Sequence, residues 1–241
     1  DTEPRATRLP GGVTFEAPIY VVGLVGCSGS GKTTATKWLK QRGCDVLNAD
    51  ELGHESYRKG TACYEKVVAR FGNRILARDG EINRKVLGEI VFRQEKQRHA
   101  LEAIVWPEIE HRITEHIQRR KSETRRWEAL CGGLAERSKV GQHCVILEAA
   151  LAIEAGWAKH CNEVWLIDGP GSKDIRGRLV EQRGMDEKDA ARRLAAQRSM
   201  RKGATIQELA DKLKRQGIPA DVIQNAGSLK DYRREIDRVW E

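Results

Sequence analysis

No part of this chain is apolar for long enough to cross a membrane. The longest apolar stretch, around Ile19–Cys27, falls well short of the roughly 18 residues that a spanning helix needs, and no signal-peptide pattern opens the chain. The six cysteines form no C-x-x-C pair, so a zinc site or a redox motif is not indicated, and scattered single cysteines fit a reducing, intracellular compartment. The six histidines contain no H-x-x-H. His111 and His116 are five apart, which sets them on different helix faces, and both are expected at the surface. Aromatic residues make up only 5%, few for a platform on which bases would stack. There is no N-K-x-D string, which a GTPase would use to read its base.

What is present describes a globular protein. The 241 residues are 39% apolar and 32% charged, enough to bury a core without disulfides or a structural metal. Lys and Arg number 43 against 35 Asp and Glu, and the net charge of +8 favours an anionic partner: nucleic acid, an acidic membrane surface or a phosphorylated small molecule. Residues 1–17 hold two prolines and a Gly-Gly with no apolar period, and read as a linker or tail. The first residue is Asp1, which suggests a piece of a longer protein.

Order begins at Ile19–Val25, a β-branched run of the kind buried on both faces of a sheet. A helix is predicted from Lys32, with Ala35, Trp38 and Leu39 on one face and Gly43 as its stop, and then a strand over Cys44–Leu47. The middle third reads as helices. Tyr64, Val67, Val68 and Phe71 share a face, as do Val86, Leu87, Ile90 and Val91, and later Ile109, Ile113 and Ile117. Pro107 is expected to separate two of them. Further strands are predicted at His143–Leu147, Glu163–Ile167 and Asp221–Ile223, with a closing helix from Ser228. Strands alternating with helices give an α/β fold, a parallel sheet covered by helices on both faces, interrupted by an inserted helical subdomain.

The segment Gly26-Cys27-Ser28-Gly29-Ser30-Gly31-Lys32-Thr33 fits G-x-x-x-x-G-K-[ST] and lies between the first strand and the first helix, where a P-loop must lie. Its glycines let successive N–H groups turn inward onto phosphate oxygens, and the helix N-terminus adds partial positive charge. Lys32, expected in a solvent-facing loop, supplies a full charge to the β- and γ-phosphates; Thr33 offers a hydroxyl to Mg²⁺, and Thr34 completes the nucleotide-binding set. Asp50 follows the second strand at the carboxyl edge of the sheet, beside this loop. A carboxylate there could accept a proton from an acceptor hydroxyl or help to hold the metal; it could equally be a helix N-cap.

The P-loop, Val46–Asp50 with Leu52-Gly53-His54-Glu55, Phe71-Gly72 through Asp79-Gly80-Glu81-Ile82-Asn83-Arg84, Trp106-Pro107-Glu108-Ile109, Val145–Glu154 with Gly156-Trp157, and Val222–Gly227 together resemble dephospho-coenzyme A kinase, in order over nearly all of 19–241. Trp106 before Pro107, with the Glu-Ala-Ala-Leu and Glu-Ala-Gly-Trp strings, is most similar to the kinase domain of eukaryotic bifunctional coenzyme A synthase. The resemblance implies a P-loop kinase domain over 18–241, with a helical substrate-binding insertion at about 58–137 and a lid at about 174–200. It implies phosphoryl transfer from ATP, with Mg²⁺, to the ribose 3′-hydroxyl of dephospho-coenzyme A. It further implies an intracellular, cytoplasmic protein, with mitochondrial association left open, and an upstream adenylyltransferase domain joined through residues 1–17.

By the same resemblance Asp50 activates the acceptor and Lys32 acts with it. Arg84 lines the acceptor pocket, unless it is a solvated residue in a helix's first turn. Glu148 stands where a Walker B acid would reach Mg²⁺ through water; packing or a backbone hydrogen bond is the other reading. Arg176, Arg178, Arg183, Arg192 and Arg193, with Gln197, fall in the lid region; at least one of Arg178 and Arg183 is the lid arginine, whereas Arg192 belongs to a solvated basic face, and Glu154 caps or braces. Residues 201–219 are longer than the family norm. Two other functions share these features: a P-loop kinase of another small alcohol or nucleoside, and a nucleotide-dependent nucleic-acid-binding protein suggested by Arg119-Arg120-Lys121 and Arg125-Arg126. Acidic residues mixed among those clusters argue against nucleic acid as a partner.

Overall fold

The structure, a computed structural model, describes residues 19–130, 143–184 and 186–241. The predicted linker 1–17 and the last part of the helical insertion, 131–137, lie outside the described residues.

Five strands form one parallel sheet: β1 (Tyr20–Val25), β2 (Asp45–Asn48), β3 (Cys144–Ala149), β4 (Glu163–Asp168) and β5 (Ala220–Gln224), in the order β2-β3-β1-β4-β5. Each lies within two residues of its predicted bounds. Alternation along the strands divides the core. Val21, Val25, Val145, Leu147, Val164 and Leu166 face one side, and Tyr20, Val22, Leu24, Ile146 and Trp165 the other. The second side is covered by α1 (Lys32–Gln41) through Ala35 and Leu39, and by α9 (Leu229–Trp240) through Tyr232 and Ile236. Ser228 caps α9 in a capping box with Asp231. The first side is covered by the helices inserted between β2 and β3, namely α2 (Ala49–Ser56), α3 (Ala62–Phe71), α4 (Arg84–Arg93) and α5 (Glu95–Leu130). The chain then adds α6 (Ser172–Arg183), α7 (Glu187–Met200) and α8 (Ile206–Arg215) between β4 and β5.

Pro107 does not end a helix: it lies inside α5. A proline in a helix interior costs about 3 kcal/mol. Val105, Ile109, Ile113 and Ile117 are all buried on one side of α5, and burying each contributes roughly 1.5–3 kcal/mol. Their packing against α2, α3 and α4 outweighs the missing backbone bond. In α3 the buried stripe is Cys63, Val67 and Phe71, with Tyr64 and Val68 at its margins. His111 is exposed as expected, but His116 is not: its Nε2 stands 2.7 Å from a carboxylate oxygen of Asp45, in a half-buried cluster that also holds Arg120. Residues 201–219 form α8 and its flanks. Thr205 and Glu208 make a capping box at its start, and Leu209 and Leu213 pack beneath the sheet.

Candidate active site

The loop from Gly26 to Thr33 leaves β1 and enters α1. Gly31 has a φ of 108°, and a Cβ there would stand 2.3 Å from Asn225 Nδ2; at Gly26 a Cβ would stand 2.5 Å from Ser30 Oγ. Neither position has room for a side chain. The back of the loop is held from the far end of the chain: Asn225 Nδ2 donates to the Ser30 carbonyl at 2.7 Å, and the Tyr232 hydroxyl to the Gly31 carbonyl at 3.1 Å. Lys32 does not face solvent. It is buried, and its Nζ donates to the carbonyls of Gly26 and Cys27 at 2.9 and 3.1 Å, because the loop curls around its own lysine. Gly29, Gly31, Lys32, Thr33 and Thr34 line a cavity of about 290 Å³, and Arg178 of α6 borders it with Asn225 and Tyr232. Arg183 ends α6, and its side chain is outside the described residues.

Glu148 lies in β3, directly beneath the start of α1. Its carboxylate accepts from Thr33 Oγ1 at 3.4 Å and Thr36 Oγ1 at 3.3 Å, so its bonds are to side chains and not to the backbone. Burial pushes its pKa above the usual glutamate value, and the Lys32 charge and the threonine bonds pull the other way. Glu154, further on, faces Arg201 at 3.3 Å with both side chains nearly buried, and so braces.

Asp50 is not the N-cap of α2. Asn48 is: its Oδ1 accepts from the amides of Asp50 at 2.9 Å and Glu51 at 3.3 Å. Asp50 therefore sits in the first helical turn with an exposed carboxylate. It opens onto a second cavity, of about 440 Å³, whose charged lining also includes Arg84, Arg98 and Arg193, and whose apolar wall includes Leu87, Val91, Trp106 and Met200. Arg84 is the first residue of α4 and exposed, yet it lines this cavity. His54 lines it too, and burial, with Arg84 beside it, holds its imidazole below the usual histidine pKa.

Helix α7 links the P-loop to the second cavity. Arg193 Nε donates to Ser28 Oγ at 2.9 Å, and its Nη2 stands 3.8 Å from the Asp50 carboxylate. Gln197 Nε2 donates to the same Ser28 hydroxyl at 3.0 Å, and the Ser28 amide donates to Gln197 Oε1 at 3.0 Å. Sequence reasoning placed Arg193 and Gln197 in the lid region without a role. Their spacing of four puts them on one helix face, which was the available signal. Arg192 points elsewhere, to Asp189 at 2.5 Å, on the solvated face expected for it.

This assembly is a phosphate-binding loop, a buried acid under its threonine, and a cationic second pocket with an exposed carboxylate at its mouth. A family model described as dephospho-CoA kinase matches residues 20–129. A dephospho-CoA kinase of Geobacter sulfurreducens is 33% identical over 220 residues, 91% of this chain and 96% of that protein. The chain belongs to the dephospho-CoA kinase family. The dephospho-CoA kinase of Dehalococcoides mccartyi is 36% identical over 178 residues, covering 73% of this chain and 80% of its own. A crystal structure from Thermus thermophilus superposes with a TM-score of 0.62 at 25% identity, covering 93% of this chain and 97% of that one. The dephospho-CoA kinase of Campylobacter jejuni shares the fold, with a TM-score of 0.52 at 23% identity over 91% of this chain and 94% of that one. The chain is thus a P-loop kinase that acts at the last step of coenzyme A biosynthesis. No helix among the described residues is long and apolar enough to cross a membrane.

Proposed function

We propose that the chain transfers the γ-phosphoryl group of ATP to the ribose 3′-hydroxyl of dephospho-coenzyme A, with ATP in the P-loop cavity and the acceptor in the cavity that opens at Asp50. The observation that carries this reading is Arg193, which lines the second cavity and whose guanidinium reaches from Ser28 of the P-loop toward Asp50. In-line transfer asks the protein for positioning and for charge at the moving group. Lys32 and the inward amides of the loop hold the phosphates. Asp50 accepts the hydroxyl proton. Arg193 faces the charge that develops between them, and the exposed Arg84 offers a bidentate contact to the acceptor's own phosphates, while Arg98 is held by Glu95 and Glu102. Helices α3–α5 act as the acceptor-binding insertion and α6–α7 as the lid, with Arg178 on the nucleotide.

The family implies Mg²⁺ with ATP, and the residues present fit it: a threonine hydroxyl beside a buried carboxylate is an all-oxygen donor pair suited to a hard cation. Thr33 would hold the ion directly and Glu148 through water. When bound, Mg²⁺ neutralises charge on the β- and γ-phosphates. Two residues of the basic runs that suggested nucleic acid pair with carboxylates. Arg120 pairs with Asp45 and Glu123, and Arg119 with Glu123.

We also propose that the chain is the kinase portion of a bifunctional coenzyme A synthase, with an adenylyltransferase domain upstream; the relatives named above are bacterial. Trp106-Pro107 supports this, with Trp106 packed edge-on against Trp157 of the Glu-Ala-Gly-Trp string. The reaction places it inside the cell, in the cytoplasm or in association with mitochondria, which the free thiols of Cys27, Cys44, Cys63, Cys144 and Cys161 support. An ADP-release assay tests both readings. Dephospho-coenzyme A should give ADP while a panel of nucleosides and sugars does not, and 4′-phosphopantetheine should give no pyrophosphate. Turnover of a nucleoside in preference would overturn the acceptor assignment, and pyrophosphate release would overturn the domain assignment.

A further inference from the structure

We propose that Gln197 is a positioning residue that locks the P-loop to helix α7, so that filling the acceptor pocket and filling the phosphate loop strengthen one another. The proposal rests on the assignment of the second cavity to the acceptor. Ser28, at the crest of the loop, is 3% exposed and Gln197 is 6% exposed. One side-chain amide meets both polar groups of Ser28: its oxygen takes the main-chain N–H and its nitrogen donates to the hydroxyl, each at 3.0 Å. The Ser28 amide is thereby held by the protein itself, and this sets the orientation of the crest from which the neighbouring amides reach phosphate.

The same helix walls the acceptor cavity with Arg193, Ala196, Gln197 and Met200. Its C-terminal end is fixed as well. Arg201, the C-cap of α7, donates to the Ala150 carbonyl at 3.0 Å and faces Glu154 at 3.3 Å, both in the segment that follows Glu148 out of β3. Helix α7 is therefore a strut with one grip on the loop crest, one wall on the acceptor and one anchor beyond the buried acid. A ligand packed against Ala196 and Met200 restrains the helix. The reciprocal amide pair passes that restraint to the loop, where bound phosphate then has less order to impose. Coupling of this kind is reciprocal in the two affinities. If Gln197 only filled a buried slot, its loss would lower stability and leave the coupling as it was.

The test measures ADP affinity by calorimetry in the presence of Mg²⁺, without and with saturating dephospho-coenzyme A, for the full chain, for Gln197→Met and for Ser28→Ala. Methionine keeps the volume and removes both bonds. Alanine at 28 keeps the main-chain bond and removes the hydroxyl, so it carries the test if the first variant fails to fold. The full chain should show at least about a fivefold gain in ADP affinity on adding the acceptor. Gln197→Met should bring that gain close to one, and Ser28→Ala should reduce it in part, each gain being taken relative to the same variant's affinity for ADP alone. An equal gain in all three proteins, or none in the full chain, would overturn the proposal. A full chain that binds ADP but not dephospho-coenzyme A would overturn the acceptor reading and the proposal with it.

Discussion

Asp50 carries a sharp distinction between a structural and a chemical role, because its neighbour Asn48 already caps α2. Asp50→Asn keeps the shape and leaves the cap in place, so the thermal midpoint should not move. Turnover should fall by roughly 10² to 10⁴-fold, the usual range for a lost general base, while ATP affinity stays near normal. Steady-state kinetics beside a melting curve checks this, and full activity with a lowered midpoint would return Asp50 to a structural role. Glu148 behaves differently. Its folded-state pKa is raised by burial, so the folded chain binds a proton more tightly than the unfolded chain. Stability must then fall as pH rises from the ordinary glutamate range through that raised value, and the loss persists above it. Glu148→Gln keeps an acceptor oxygen for one of the two threonine hydroxyls, presents an NH2 to the other, whose hydroxyl can turn to accept, and removes the charge. The variant is expected to melt at a higher temperature than the parent at neutral pH, to lose that part of the pH dependence, and to turn over more slowly because the metal-side carboxylate is gone. Melting curves over a pH series decide it; a variant less stable than the parent at neutral pH would show that the charge is well compensated.

Elements were legible where their signal is local. The strands are short β-branched runs between turn residues, and the P-loop is a contiguous string in the setting that its mechanism requires. Pro107 misled because the rule for proline is local while α5 is held by distant partners, through Val105, Ile109, Ile113 and Ile117. The cap of α2 misled in a smaller way: two capping residue types two positions apart, Asn48 and Asp50, leave the boundary open by that much. That cap is worth testing because it orients the turn bearing Asp50. Asn48→Ala should cost about 1 kcal/mol of stability and lower turnover as well, since the helix start is less firmly set. A drop in stability without any change in rate would separate the turn from the chemistry.

For the whole molecule, the parts hardest to read were the long-range ones. Ser28 and Gln197 lie 169 residues apart, and Ser30 and Asn225 lie 195 apart. No periodicity in one segment can announce a partner so distant. Only the assembled sheet brings the ends of β1, β3 and β5 to one edge, where α7 reaches the segments that follow β1 and β3. The same packing sets the second cavity beside the phosphate loop, the arrangement that phosphoryl transfer between the two requires. That transfer is tested most directly by incubating the chain with ATP, Mg²⁺ and either dephospho-coenzyme A or its 3′-deoxyribose analogue, and following ADP together with the mass of the acceptor. With dephospho-coenzyme A, ADP and an acceptor heavier by one phosphoryl group should appear in equal amounts, and the 3′-deoxy analogue should give neither above background. A phosphorylated 3′-deoxy analogue, or ADP formed at the same rate with no acceptor present, would contradict the account.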